Sequence, residues 1–383
     1  MTSHWVPEQS SSHQRLLDSA RRSTPDLPFD SIVVPTSRPA KSLTACMRLA
    51  HQTRIPLVVI CSKLVHSHEV IDMATDVGVK AFALDLPPHP ANPLGITFAT
   101  SSDEELATAC SVTTRDLSTK RNLGLVLARM LGWKRLMFLD DDIYGISKKD
   151  VDALAAGLSD HSISVLIPDE FPDNSVACHA HRLGGGQQGK FAGAGGMGVQ
   201  VDRDDLAFFP NIYNDDWFFF SEEAASRKII KVGESRQRTY NPYADPQRAV
   251  KEEFGDLLAE GLYARLDHEQ GVHGADTAYW AAFIRSREIF HARVAELLRN
   301  HNERHDNTKR GRDIRAAEVS IRAAQEKLDR IRPELCHKFI QLWQADLVEW
   351  RHYLAKLNRF DSIGSALDHL NLDCVESRSP TTL

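Results

Sequence analysis

The chain has 383 residues, 42% hydrophobic and 26% charged, which suits one large globular domain or two ordinary ones. A formal charge of −6 argues against a general nucleic-acid binder, and no apolar run approaches the ~20 residues of a membrane helix. The polar stretch Met1 to Pro28 lacks the apolar core of a secretory signal, and six scattered cysteines without a CxxC pair read as reduced thiols of a cytoplasmic protein.

Residues 1–28, rich in Ser, Gln and Arg, read as a mobile or loosely docked arm. A strand follows at Ser31 to Pro39, then a helix through Leu43, Met47 and Ala50, a strand at Pro56 to Lys63, a helix from His68 to Val77, and a strand at Val79 to Leu84. Strands alternating with helices predict an α/β domain with a mainly parallel sheet. A Pro-rich linker, Leu86 to Pro93, interrupts the alternation, and Ser101 to Ala109 is a further short helix.

The next unit is the clearest. Ser118 is placed to cap a helix whose Leu123, Val126, Leu127 and Met130 keep helical spacing, and Gly132 can end it. Lys120, Arg121 and Asn122 fall in its first turn. The apolar run Arg135-Leu136-Met137-Phe138-Leu139 then ends in three consecutive carboxylates, Asp140, Asp141 and Asp142. A run of this kind reads as a strand buried on both faces. Three acids at its tip are costly unless something positive meets them, and a divalent cation, Mn²⁺ or Mg²⁺, is the expected partner. The alternative is a polar loop whose acids are solvated or cap the next helix.

Ser147 to Asp150 predicts a capping box for the helix through Leu158, and Ile163 to Ile167 another strand. From Pro168 to Met197 the chain reads as irregular, with Asp173-Asn174-Ser175, His179, His181, Arg182, Gln188 and the glycines at 184–186, 193, 195 and 196. A loop this long inside an α/β domain is usually functional or disordered. A strand at Met197 to Val201 leads to Asn214-Asp215-Asp216-Trp217, where Asn214 or Asp215 caps a helix, and Ile229 to Val232 is a further strand. Gln237 to Gln247, broken by Pro242 and Pro246, reads as mobile, and Glu252 to Arg265 as an amphipathic helix. Beyond Thr277 the pattern is helical. Ile314, Ala317, Ile321, Ala324, Leu328, Ile331 and Leu335, continued by Phe339 to Leu357, form a coiled-coil-like seam, either packed on the sheet or pairing two subunits.

Lys120-Arg121-Asn122-Leu123-Gly124-Leu125, followed after the helix by Phe138-Leu139-Asp140-Asp141-Asp142-Ile143, resembles the nucleotide-sugar half of GT-A fold glycosyltransferases. It is most similar to the large inverting group called family two. Val34-Pro35-Thr36-Ser37-Arg38 is similar to that family's nucleotide-binding opening, and Gly195-Gly196 with Asn214-Asp215-Asp216-Trp217 resembles its acceptor half. The likeness covers roughly residues 30–235. It implies a GT-A-like mixed, mainly parallel sheet flanked by helices over residues 29–275, whose nucleotide-sugar half closes near residue 145. Residues 276–383 would then be an all-helical extension.

The resemblance further implies a metal-dependent transferase of sugar from a nucleotide-sugar donor to a small or soluble acceptor. Asp142 and Asp140 would hold the metal. Pro35, Thr36, Arg38, Lys120, Arg121, Asp140 and Asp141 would bind the donor. Asp216 would be the base, with Asp215 beside it, and His179, Arg182, Gly195, Gly196 and Trp217 would face the acceptor. One departure stands out: Ser62-Lys63 follows the second strand, where the family usually carries an acid. His268 and His273 are candidate late metal ligands, although a lone histidine is more often an ordinary core or surface residue. Three alternatives stay open: a retaining enzyme of the same fold, a sugar nucleotidyltransferase, and a helical scaffold with a vestigial site. The helical tail could also pair two chains into a homodimer.

Overall fold

The computed structural model describes residues 8–9, 12–19, 27–88, 92–111, 116–169, 171, 175–301 and 306–377. Its strands are β1 (Leu17–Ser19), β2 (Ser31–Pro35), β3 (Leu57–Cys61), β4 (Ala81–Asp85), β5 (Arg135–Leu139), β6 (Ile143–Tyr144), β7 (Ile163–Pro168), β8 (Gly196–Gln200), β9 (Ile229–Gln237) and β10 (Val375–Glu376). They form one mixed sheet in the order β1-β9-β7-β8-β5-β2-β3-β4-β10, with β6 paired to β9. Pairing is parallel except where β8 lies against β5 and β7, β10 against β4, and β6 against β9. The α/β class and the mainly parallel sheet expected from the alternation are both present.

The helices are α1 (Thr44–Thr53), α2 (Ser67–Asp76), α3 (Ala99–Ser102), α4 (Glu104–Ala109), α5 (Leu117–Leu131), α6 (Lys148–Gly157), α7 (Val176–Leu183), α8 (Asp215–Phe219), α9 (Ser221–Ala225), α10 (Pro246–Leu266), α11 (Thr277–Arg299), α12 (Lys309–Leu328), α13 (Pro333–Lys356) and α14 (Ile363–His369). Successive strand residues face opposite layers. Ile32, Val34, Met137 and Leu139 pack with α1, α2 and α6, whereas Val33, Leu136 and Phe138 pack with α5 and the later helices. The chain runs from β2 through β3 to β4 on one side, then returns to β5 on the other side of β2. Loops leaving β2 and β5 therefore diverge and open a crevice at the strands' carboxyl ends, the usual place for a ligand in such sheets.

Local signals hold in several places. Gly132 ends α5 in the left-handed conformation, and Ser147 with Asp150 closes a capping box on α6. Others are corrected. The cap position of α5 is Asp116, and Ser118 lies buried inside the helix. The segment Pro168 to Met197 is not wholly irregular, because α7 forms there with Ser175 accepting from the Cys178 N–H. Its Val176, Ala177 and Ala180 bury against α11 and α12.

Gln237 to Gln247, expected to be mobile, finishes β9 and carries Tyr243, 8% exposed, into that same core. Where described, the expected N-terminal arm supplies the edge strand β1 alongside β9 and buries His13 and Leu16. The rest of that arm, residues 89–91 of the linker, Asp173-Asn174 of the irregular stretch and the chain's last six residues lie outside the described set.

The seam is not a free coiled coil. Leu328, Leu335, Phe339, Trp343, Trp350 and Leu354 join the main core, with Trp343 edge-on to Phe218 and the Trp350 indole donating to the Ala207 carbonyl. The seam's apolar side chains are buried within one chain. Nor is the extension all helical, since β10 returns to pair with β4. Among the described residues no helix is long and apolar enough to cross a membrane.

Candidate active site

The strand-tip acids are met by arginines. Thr36, directly after β2, donates its hydroxyl to Asp141 Oδ2 at 2.6 Å, and Ser42 reaches the same oxygen at 3.4 Å. Arg38 pairs with Asp141 through one nitrogen and with Asp142 Oδ2 through another at 3.1 Å. Gln237 at the end of β9 also donates to Asp142 Oδ2, at 3.4 Å. Asp140 is held from the other direction by Arg121, whose Nη2 lies 3.0 Å from Oδ2. The other terminal nitrogen of Arg121 donates to Asp215 Oδ1 at 2.9 Å. One buried guanidinium thus ties the acid following β5 to the acid opening α8. Burial works against its charge, but Asp140, Asp215 and Asp216 together hold Arg121 above the usual arginine range.

Asp216 is placed differently. Its Oδ2 accepts from the Ala194 N–H and its Oδ1 from the Trp217 N–H, each at 2.9 Å. Burial raises its proton affinity above that of an ordinary carboxyl, opposed by nearby Arg121. Glycines make room for the acids. A methyl at Gly193 would stand 3.3 Å from Asp216 Oδ2, and one at Gly195 equally close to Asp140 Oδ2. The loop before α8 is fixed from beneath, where Gly255 of α10 lies against Tyr213 so closely that a Cβ would meet its carbonyl oxygen at 2.5 Å.

A cavity of about 390 Å³ opens between the two halves, lined by Arg121, Asp140, Asp215, Asp216, Gly195, Gly196 and Trp217 among others. These seven expected site residues are therefore brought together. Others are not on its wall. Pro35, Thr36, Arg38, Asp141 and Asp142 do not line it, and of these all but Arg38 are buried. Lys120, expected to meet a phosphate, is 1% exposed and gives its ammonium to the Thr36 carbonyl, Ser37 and Ser62, with Asp116 at 3.5 Å. It staples α5 to the ends of β2 and β3, because burying a cation requires that every donor be met. Trp217 is packed among His13, Phe191 and Tyr263, more core than platform. His179 and Arg182 sit on α7 and bond each other at 2.8 Å, away from the cavity wall. His268 caps its own helix through the Ala264 carbonyl.

Residues that spacing did not single out also line the cavity. Arg248 and Tyr213 are two; Gln237 is a third. Lys63 and Asp116 stand 3.7 Å apart and both line the cavity. Nothing in local spacing announced these positions, which come together only through the sheet.

A divalent cation can be weighed against this donor set. Among the described residues no three histidine, cysteine or acidic side chains cluster as a ready-made metal cage. Mg²⁺ and Mn²⁺ in phosphate chemistry commonly need only one or two carboxylates plus substrate oxygens. Four carboxylates here pair with two guanidiniums, and Arg38, the partner of Asp142, has a side chain 52% exposed. The set fits a cation that arrives with its phosphate ligand. No protein-family model and no curated protein matches the chain, so the functional reading rests on this geometry.

Proposed function

We propose that the chain is a glycosyltransferase moving a sugar from a nucleotide-sugar donor to an acceptor hydroxyl, with inversion at the anomeric carbon. The observation carrying this reading is the convergence of Asp140 and Asp216, one from each half of the sheet, on a single cavity with Arg121 between them. Asp216 is the base. Two backbone N–H groups fix its carboxylate, and burial makes it a better proton acceptor than a solvated aspartate. The acceptor oxygen forms its new bond to the anomeric carbon, its proton passes to Asp216, and the nucleoside diphosphate departs. Asp215, locked by Arg121, positions that base and does not itself take the proton. Asp140 faces the donor. A divalent cation, when bound, would be held by Asp142 and Asp140 and would neutralise charge on the leaving diphosphate. Arg38 would then release Asp142.

The test is a thermal-shift panel of nucleotide sugars with and without Mn²⁺, followed by turnover. Asp216→Asn should keep donor binding and lose transfer, and Asp142→Asn should lose the Mn²⁺-dependent part of donor stabilisation. A product with retained anomeric configuration by NMR, or undiminished turnover in Asp216→Asn, would remove the base assignment.

A further inference from the structure

Arg248 enters the cavity from the first turn of α10, and its surroundings exceed those of an ordinary helix-surface arginine. Its Nε donates to Glu252 Oε1 at 2.6 Å, and one terminal nitrogen donates to the Tyr240 hydroxyl at 2.7 Å. The guanidinium also lies over the Tyr240 ring, 4.2 Å from its centre. Both anchors are themselves held. Glu252 is 4% exposed and accepts from the Val176 N–H at 2.8 Å, while the Tyr240 hydroxyl lies 3.4 Å from His179 Nε2.

A helix ion pair accounts for the Nε contact alone. It does not account for the aromatic face, the second anchor and the placement on a cavity wall. Among the described residues the remaining terminal nitrogen of Arg248 makes no hydrogen bond, and the side chain is 34% exposed. A guanidinium pinned on two edges, with its outer edge open to a cavity, is preorganised for the two oxygens of a carboxylate or phosphate. Burial pushes Glu252 up to about 7, against the pull of Arg248.

We infer that Arg248 binds an anionic group, carboxylate or phosphate, on the acceptor, and so selects a small acidic polyol over a neutral one. The inference rests on the glycosyltransferase reading for the word acceptor. Arg248 feels the charge of Tyr213, on the loop just before Asp215 and Asp216, and on the glycosyltransferase reading the donor diphosphate would lie toward Asp140. Glu252 and Tyr240 are positioning residues.

The experiment is calorimetric titration of the whole chain with D-glycerate and glycerol 3-phosphate against glycerol as the matched neutral polyol. Each is run with and without saturating uridine or guanosine diphosphate. Binding of the two anions at least ten-fold tighter than glycerol is expected. That preference should be lost in Arg248→Gln, partly kept in Arg248→Lys, and unaffected by bound nucleotide. Equal binding of all three probes overturns the inference, as does an unchanged anion preference in Arg248→Gln. Competition between the anions and nucleotide, with weaker nucleotide binding in Arg248→Gln, overturns it by moving Arg248 to the donor. The nucleotide-sugar panel reads separately: donor stabilisation without anion preference sinks this inference and leaves the transferase reading standing.

Discussion

Asn214 donates its side-chain amide to Asp256 Oδ1 at 3.0 Å, joining the loop that presents the acid pair to a carboxylate buried in α10. Asp256 is fully buried and also pairs with Arg287 of α11, which binds Glu253 at 3.0 Å. The later helices are thus a foundation for Asp215 and Asp216. Asn214 itself holds φ at 60°, a conformation that asparagine tolerates better than most side chains.

Two contributions separate by substitution at that position. Asn214→Ala should cost about 3 kcal/mol, from a lost hydrogen bond to a buried charge and the left-handed backbone together. Asn214→Gly recovers the backbone part and should cost about 2 kcal/mol. Urea unfolding reads both. Transfer should fall on the order of a hundredfold in either variant, because the acid pair loses its anchor, while nucleotide-sugar binding holds. Unchanged turnover in Asn214→Gly would detach the helical foundation from catalysis.

Arg121 sets up a second expectation, in pH. It stabilises the ionised form of Asp216, so it lowers a proton affinity that burial raises. A base must be unprotonated, so activity falls as pH drops through the folded pKa of Asp216. Removing the guanidinium lets that pKa rise further, and the acid limb of kcat/KM should move to higher pH in Arg121→Gln. That variant strands the buried Asp215 and the half-buried Asp140 and should lose about 3 kcal/mol of stability. Arg121→Lys is the partner variant; it keeps a charge but cannot bridge Asp140 and Asp215 with a planar fork. Its acid limb should lie between the other two. An unmoved limb in both would mean that Asp216 is not the titrating base.

The sequence made the sheet readable because local signals agreed. Apolar runs marked β2, β3 and β5, Gly132 closed α5, and Ser147 with Asp150 opened α6. The acid tip of β5 was legible as an electrostatic anomaly, but the nature of its partner was not. Arg38 and Arg121 answer Asp140, Asp141 and Asp142 across separations that only the sheet closes. Lys120 shows the same limit. In its helical turn it looks like a phosphate donor, and its acceptors on Thr36 and Ser62 become visible only once β2 and β3 stand side by side. Heptad-like spacing in α12 and α13 reported that those faces are buried and said nothing of the partner. The helix α7 was hidden by neighbouring glycines and histidines that read as loop.

His13 carries the last expectation. Its ring lies stacked on Tyr263 at 4.3 Å and close to Trp217 and Phe191, and its Nδ1 accepts from the Ala192 N–H at 3.2 Å. Nε2 therefore carries the proton, and among the described residues it has no partner. Burial pushes the imidazole down from 6.5 to about 3. A base whose folded pKa is depressed contributes stability that is present above its unfolded pKa. That stability is lost as pH falls from about 6.5 toward 3, because the unfolded chain binds the proton first. By pH 5 the loss amounts to about 2 kcal/mol for a ring that stays docked. Between pH 7.5 and 5 the wild-type melting temperature should drop about 2–3 °C more than that of His13→Phe, which keeps the aromatic packing and cannot charge. Ala192 and Trp217 both line the cavity, so the same acid range should loosen the wall beside Asp216 in the wild type alone. Parallel pH profiles of melting temperature in the two proteins would show that His13 is not buried as a neutral ring.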